Sequence, residues 1–240
     1  MEQKIQPFTN FVPGNHLVLG ATGVGKSLLI LSLLQTKEFS DKETINIVLT
    51  DSAKLIYQYT IPNPVISIDP YSPDMRWIAE PSVPGIYYCA CDYLPRIVTF
   101  LECLANFTRG DEENLKYPIR LFIDFPPKFW QYESVIEQMV RLNYISNSLS
   151  DNNYHPLTLW TVFTSLKELT LKTRKILDQT HLVILKPIPL SWFREITASL
   201  EEQFPDLKNL DFATENNVGF FYLPHNGNNI YSQDRIHLDI

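Results

Sequence analysis

The sequence predicts a three-layer α/β fold, in which helices flank a mostly parallel central sheet. Short β-rich apolar runs alternate with longer helical patterns along the chain. A G-x-x-x-x-G-K-[ST] motif, Gly20–Ser27, separates the first such run from the first helical one. Several predicted strands end in Asp, Thr or Ser, the residues that a ligand-binding sheet edge uses. A length of 240 residues suits one domain spanning 1–240, with no Ser- or Gly-rich linker and no internal repeat. Hydrophobic residues make up 45%, which is too rich for a disordered chain.

The elements follow in order. His16–Leu19 reads as the first strand and Lys26–Gln35 as a helix, with Leu28, Leu29, Leu31, Leu33 and Leu34 giving broad apolar coverage. Ile45–Thr50 is a strand, and Val65–Ile68 is a short one bounded by Pro62, Pro64 and Pro70. Gly85–Ala90 is the next strand, and Asp92 is expected to cap a helix running to about Phe107. After a charged loop, Arg109–Lys116, comes Ile119–Phe125, which is stopped by Pro126 and Pro127 because proline cannot donate to a ladder. Tyr132–Leu149 is helical, with Val135, Ile136, Met139, Val140 and Ile145 near one face. Leu157–Phe163 is a strand, Leu166–Leu177 a helix, His181–Leu185 a strand and Ser191–Gln203 a helix. Val218–Leu223 reads as a late strand on a sheet edge.

Charge and cysteine usage narrow the classes. A formal net charge of -7 argues against nonspecific coating of nucleic acid, which needs a basic surface, but leaves room for local phosphate contacts. The three cysteines, Cys89, Cys91 and Cys103, form no C-x-x-C pair. They read as reduced thiols of a cytoplasmic protein rather than a metal or disulfide framework. No apolar run approaches the ~18 residues of a membrane span.

The motif is a phosphate cradle. Its members are Gly20, Ala21, Thr22, Gly23, Val24, Gly25, Lys26 and Ser27, with Leu28 continuing into the helix. Glycines let the backbone turn tightly and aim N–H groups at phosphate oxygens, and the helix start adds its positive dipole end. Lys26 is expected to bridge the β- and γ-phosphates, and the Ser27 hydroxyl to ligate Mg²⁺, a hard cation that takes oxygen ligands. No N-K-x-D guanine-reading motif follows, so ATP is the expected nucleotide.

Asp124 is the partner acid. The apolar strand from Ile119 delivers it to the carboxyl edge, where it would hold Mg²⁺ directly or through water. The other strand ends are Thr50-Asp51, Asp69, Asp92 and Thr164-Ser165. Asp69 and Asp92 read as turn and cap residues. Thr164 or Ser165 is a candidate γ-phosphate sensor. The strands around Asp51, Asp124 and Thr164 are expected to neighbour the strand that feeds the cradle.

Gly14–Leu29, with Ser32–Leu34, resembles the P-loop region of FtsK/SpoIIIE-type DNA translocases of the FtsK/HerA group. Ile47–Tyr59 followed by Ile61-Pro62 is similar to the block after that family's second strand, with Asp51 answering to its acidic position. Val140-Arg141-Leu142, Leu157–Phe163 and Leu169–Arg174 resemble its later helix, its sensor strand and a segment that places an arginine near the next strand. The match covers about residues 14–62 and, more loosely, 119–186. The resemblance implies a RecA-like P-loop domain, a homo-oligomeric hexameric ring, and movement of double-stranded DNA by ATP hydrolysis. It implies catalytic roles for Lys26, Asp124, Asp51, Thr164 and Arg174, with Arg141 a second candidate arginine finger.

Two departures matter. The family follows its Walker B Asp with an acid that activates water, whereas Phe125 stands here, and the family's Thr-Gln after the sensor strand is Thr164-Ser165. Hydrolysis would then need another carboxylate, such as Asp51 or Glu133. The alternative to a motor is an ATP-binding switch with weak or no turnover. A small-molecule kinase ranks last, because the acidic loop Arg109–Lys116 makes a poor lid.

Overall fold

Ile45–Thr50 and Leu157–Phe163 are buried at every position, a pattern that requires a sheet covered on both faces. The computed structural model describes residues 6–7, 9–35, 43–51, 65–67, 84–109, 117–149, 155–164, 175–176, 179–186, 188, 190–210, 219–225 and 229–233. Among them, ten strands form one sheet. The strands are β1 (Gln6–Pro7), β2 (His16–Leu19), β3 (Ile45–Thr50), β4 (Val65–Ser67), β5 (Gly85–Ala90), β6 (Ile119–Asp124), β7 (Leu157–Phe163), β8 (His181–Leu185), β9 (Phe220–Leu223) and β10 (Tyr231–Gln233). Their order is β1-β10-β9-β8-β2-β7-β6-β3-β5-β4. From β8 through β4 every pairing is parallel, while β9 runs antiparallel to both β8 and β10.

The pleat sorts side chains to two faces. Val18, Val48, Phe122, Trp160, Val162, Val183 and Leu185 pack with α1 (Lys26–Gln35) through Leu29, Ile30, Leu31, Leu33 and Leu34. Their strand neighbours Leu19, Leu49, Ile123, Phe163 and Ile184 face the other way. There they meet Phe100 and Leu104 of α2 (Leu94–Arg109), Val135 and Met139 of α3 (Glu133–Leu149), and Ile196 and Leu200 of α4 (Leu190–Leu200). Among the described residues, one helix covers one face and three cover the other, which gives the three layers.

Four expectations shift. β9 lies inside the sheet rather than on an edge, because the short β10 and β1 extend it further. Tyr93, not Asp92, precedes α2, and its carbonyl accepts from Arg96 at 3.1 Å and Ile97 at 3.3 Å. Between Asp124 and α3 the chain makes a 3-10 turn, Pro127–Gln131, that burial of Phe129 and Trp130 holds down. Of the strands expected beside β2, only β7 pairs with it, whereas β6 is one strand further away and β3 two. The expected helix Leu166–Leu177 lies almost wholly outside the described residues.

Asn15 sets the height of β2 at the amino edge. Its amide Nδ2 donates to Asn143 Oδ1 at 2.7 Å and Asn147 Oδ1 at 3.1 Å on α3. Its Oδ1 accepts from Ser146 Oγ at 2.8 Å and from the Leu159 N–H of β7 at 2.9 Å. Its backbone carbonyl accepts from the His181 N–H of β8 at 2.8 Å. From a buried site the one amide thus bonds both α3 and β7.

The same edge carries stacked aromatic and imidazole rings. His16 lies flat on Trp160, with centroids 3.9 Å apart, and its centroid is 4.9 Å from that of His181. His181 Nε2 donates to the Pro13 carbonyl at 3.2 Å, while Nδ1 accepts from the His225 N–H at 2.9 Å. That pattern satisfies the neutral ring and leaves no place for a second proton. Burial, above all, pushes His181 down from 6.5 to about 4 and His16 well below its ordinary value.

Two stability predictions follow from this edge. Asn15→Ala strands polar groups on α3 and β7 and is expected to cost about 3 kcal/mol, read as a lower urea midpoint at unchanged m-value. In the unfolded chain His181 takes up its proton near 6.5, whereas in the fold it does so only near about 4. Between those values the unfolded state holds more protons, so stability is full above the window and falls as pH drops through it. Urea midpoints across this range should decline toward acid, and His181→Gln should flatten the decline.

Candidate nucleotide site

The cradle leaves β2 at Leu19, between β7 and β8. The Gly20 N–H donates to the Phe163 carbonyl at 3.3 Å, so the loop starts tied to the end of β7. Glycine is required here: a Cβ at Gly20 would stand 2.7 Å from Val24 Cγ2 and 3.1 Å from Leu185 Cβ. Gly23 and Gly25 have φ of 83° and 96°, in the left-handed region that side chains disfavour. The Val24 N–H reaches the Ala21 carbonyl at 3.5 Å to close the turn, with Thr22 at its exposed tip. The first helical bond of α1 runs from the Leu29 N–H to the Gly25 carbonyl at 2.9 Å. The amides before it, through Leu28, are those a helix start turns outward toward anions.

Lys26 is only 7% exposed. Its Nζ donates to the Gly20 carbonyl at 2.8 Å and the Ala21 carbonyl at 2.6 Å. The ammonium is thus held over the loop by backbone dipoles.

Asp124 ends β6 with its side chain on the α1 face, two residues after Phe122. Although β7 separates β6 from β2, the cradle passes over it, and Ser27 Oγ donates to Asp124 Oδ2 at 2.7 Å. The Asp124 carbonyl in turn accepts from Thr50 Oγ1 at 2.9 Å. Thr50 stands level with Asp124 in the β3–β6 register. Its hydroxyl is a support that the sequence does not announce: Thr50 is legible as a strand end, but not as the neighbour of Asp124.

A hydroxyl and a carboxylate in contact at a helix start fit Mg²⁺. That ion takes one or two protein oxygens and fills its octahedron with water and phosphate oxygens. Ser27 and Asp124 would hold it, and the ion when bound would neutralise phosphate charge. Among the described residues no group of three or more His, Cys, Asp or Glu side chains forms a metal site.

Thr164 directly follows Phe163, whose carbonyl holds Gly20, so it stands beside the cradle. Asp51 follows Thr50 at the end of β3 and is 8% exposed. Arg141 Nη2 donates to Asn106 Oδ1 at 2.6 Å, which ties α3 to α2. Phe125 is fully buried on the face opposite Asp124, its centroid 5.3 Å from Phe129 and 5.8 Å from Trp130. Glu133 is exposed in the first turn of α3. Arg174, Ser165 and Asp69 lie outside the described residues, as does the block after Asp51 that carries the family's tyrosine and Ile-Pro.

No protein-family model and no curated protein matches the sequence. Solved structures share its fold. The genome packaging NTPase B204 from Sulfolobus turreted icosahedral virus 2, in complex with ATP-gammaS, aligns at TM-score 0.54 and 15% identity, over 95% of this chain and 100% of that one. The AMPPCP complex of B204 aligns at 0.54 and 15%, over 92% and 96%. The AMP complex aligns at 0.51 and 17%, over 96% and 100%. At such identities the likeness concerns the fold, and it agrees with the FtsK/HerA-type resemblance read from residues 14–62. The chain therefore has the three-layer, RecA-like P-loop NTPase fold, the fold of a viral genome packaging NTPase.

Proposed function

We propose that this chain is a motor ATPase that binds ATP with Mg²⁺ at Gly20–Ser27 and Asp124 and couples hydrolysis to the movement of double-stranded DNA. One observation supports the nucleotide and metal part of the reading: Ser27 Oγ donates to Asp124 Oδ2 at 2.7 Å across an intervening strand, as two oxygens serving one Mg²⁺ would. In phosphoryl transfer the protein's work is positioning and charge stabilisation. Lys26 would exchange its carbonyl partners for β- and γ-phosphate oxygens. Thr164 would meet the γ-phosphate from the β7 side. The likeness of fold to a genome packaging NTPase supports the motor assignment, and the FtsK/HerA resemblance supports a ring of identical subunits acting in the cytoplasm. In such a ring Arg174 would be the candidate finger toward a neighbour's nucleotide.

Phe125 favours a second reading, an ATP-binding switch without turnover. ATP turnover with and without double-stranded DNA, beside a Lys26→Ala control, decides between them. The motor predicts turnover that rises with DNA and drops at least about 100-fold in the control. ATP binding without turnover in either condition points to the switch, and failure to bind ATP removes both.

Phe125→Glu tests the geometry separately. Its side chain faces the α2–α4 layer, so a carboxylate there is buried without reaching the phosphates. The variant is expected to lose about 3 kcal/mol or more of stability and to gain no turnover. A faster ATPase of normal stability would contradict the placement.

A further inference from the structure

Among the described residues, β6 is paired on one side only at the level of Asp124. Its pairing with β7 ends at Ile123 and Thr161, whereas its pairing with β3 continues through Asp124 and Thr50. Pro126 and Pro127 follow, and neither has an N–H to give a ladder. The main chain of Asp124 therefore depends on Thr50. Both residues are fully buried, and Thr50 Oγ1 donates to the Asp124 carbonyl at 2.9 Å. The buried Thr108 and Thr180 hydroxyls donate to carbonyls four residues earlier, those of Leu104 and Ile176. Thr50 instead reaches another strand, 74 positions away. It is itself anchored, because it pairs with Ala90 of β5 and its carbonyl accepts from the Cys91 N–H at 2.9 Å.

We propose that Thr50 is the positioning residue of the metal pair, and that its grip on the Asp124 main chain makes the site favour Mg²⁺ over Ca²⁺. The inference rests on the nucleotide and metal reading above. Thr50 acts through Asp124 and not on the ion. Its hydroxyl takes the carbonyl, while Oδ2 of the same residue accepts from Ser27 Oγ at 2.7 Å. Main chain and side chain of Asp124 are thus fixed by separate donors. A threonine suits this task, because its branched Cβ leaves χ1 stiff and the hydroxyl direction set by the strand.

The two ions respond differently to a fixed ligand. Mg²⁺ demands near-ideal octahedral geometry at about 2.0–2.1 Å, whereas Ca²⁺ takes about six to eight oxygens at about 2.3–2.6 Å in flexible arrangements. A carboxylate whose main chain cannot shift is preset for the stricter ion. Loosening it should cost Mg²⁺ binding more than Ca²⁺ binding. A hydroxyl that only filled the core would lower stability without changing that preference.

The test uses the full chain and a fluorescent, non-hydrolysable ATP analogue, titrated with magnesium chloride or calcium chloride. The readout is the ion concentration at which analogue binding is half-maximal. Thr50→Val keeps the shape and removes the donor. It is expected to raise the Mg²⁺ midpoint about 10-fold and the Ca²⁺ midpoint less than about 3-fold. Thr50→Ser keeps the donor and is expected to stay within about 3-fold of the parent with both ions. Analogue binding in EDTA, which uses the cradle alone, is expected to be equal in all three. Thr158→Val removes a buried hydroxyl near the amino end of β7 and should leave both midpoints unchanged. If Thr50→Val does not fold, Thr50→Ala takes its place. A parent-like Mg²⁺ midpoint in the folded variant overturns the role of Thr50 alone. So do equal shifts with both ions, a Thr50→Ser that behaves like Thr50→Val, or the same shift in Thr158→Val. A parent that binds the analogue no better with Mg²⁺ than in EDTA overturns the metal reading as well.

Discussion

The phosphate edge depends on how β2 is held at the opposite edge, and Asn15 does the holding. From Asn15 to Gly20 the extended chain covers roughly 16 Å, the full depth of the sheet at this point. Asn15 bonds α3 and β7 through its side chain and β8 through its carbonyl, so β2 cannot slide against any of them. A slip of one residue would turn Val18 away from α1 and Leu19 toward it. It would also withdraw the cradle from the end of β7. The Ser27–Asp124 contact exists because that register is kept over the whole length of a four-residue strand.

The pleat imposes a second constraint. Successive strand residues face opposite layers, so Asp124 on the α1 face commits Phe125 to the other face while the chain remains extended. Phe129 and Trp130 then lock Phe125 in place, and Trp130 packs edge-on against Phe163 with centroids 4.5 Å apart. A single aromatic cluster therefore ties the end of β6 to the end of β7, the two strands whose ends touch the cradle through Asp124 and the Phe163 carbonyl. The absence of an acid at position 125 is built into the core. Replacing one side chain would not restore it.

Much of this was legible locally. Strands buried on both faces read as continuous apolar runs, which is why β2, β3, β5, β7 and β8 match their expected bounds. The cradle was legible because each glycine has a steric reason to be there. Strand order was not, since nothing in Leu157–Phe163 says that it inserts between the cradle strand and the Asp124 strand. Asn15 gave no signal either, because its partners lie on α3, 128 and 132 positions away. β1 and β10 are too short to show a period, which is why β9 read as an edge. Tyr93 displaced Asp92 at the start of α2 because a cap is set by where the backbone turns, and Asp favours several positions around such a turn.

The two edges of the sheet carry different kinds of buried polarity. At the amino edge the buried groups are amides, hydroxyls and imidazoles; the Asn15 amide and the His181 ring are hydrogen-bonded, and burial holds His16 and His181 neutral. At the carboxyl edge they are ammonium and carboxylate groups. Burying an ionised group costs several kcal/mol unless partners offset it. An arrangement meant only for stability would have placed uncharged side chains at both edges. Lys26 Nζ donates to the Gly20 and Ala21 carbonyls, and phosphate oxygens would give an ammonium stronger, charge-assisted bonds. The fold thus concentrates its desolvated charge where a polyanion and its cation would offset the cost. The stability of this edge is therefore expected to be coupled to nucleotide, whereas the Asn15 edge stands by itself.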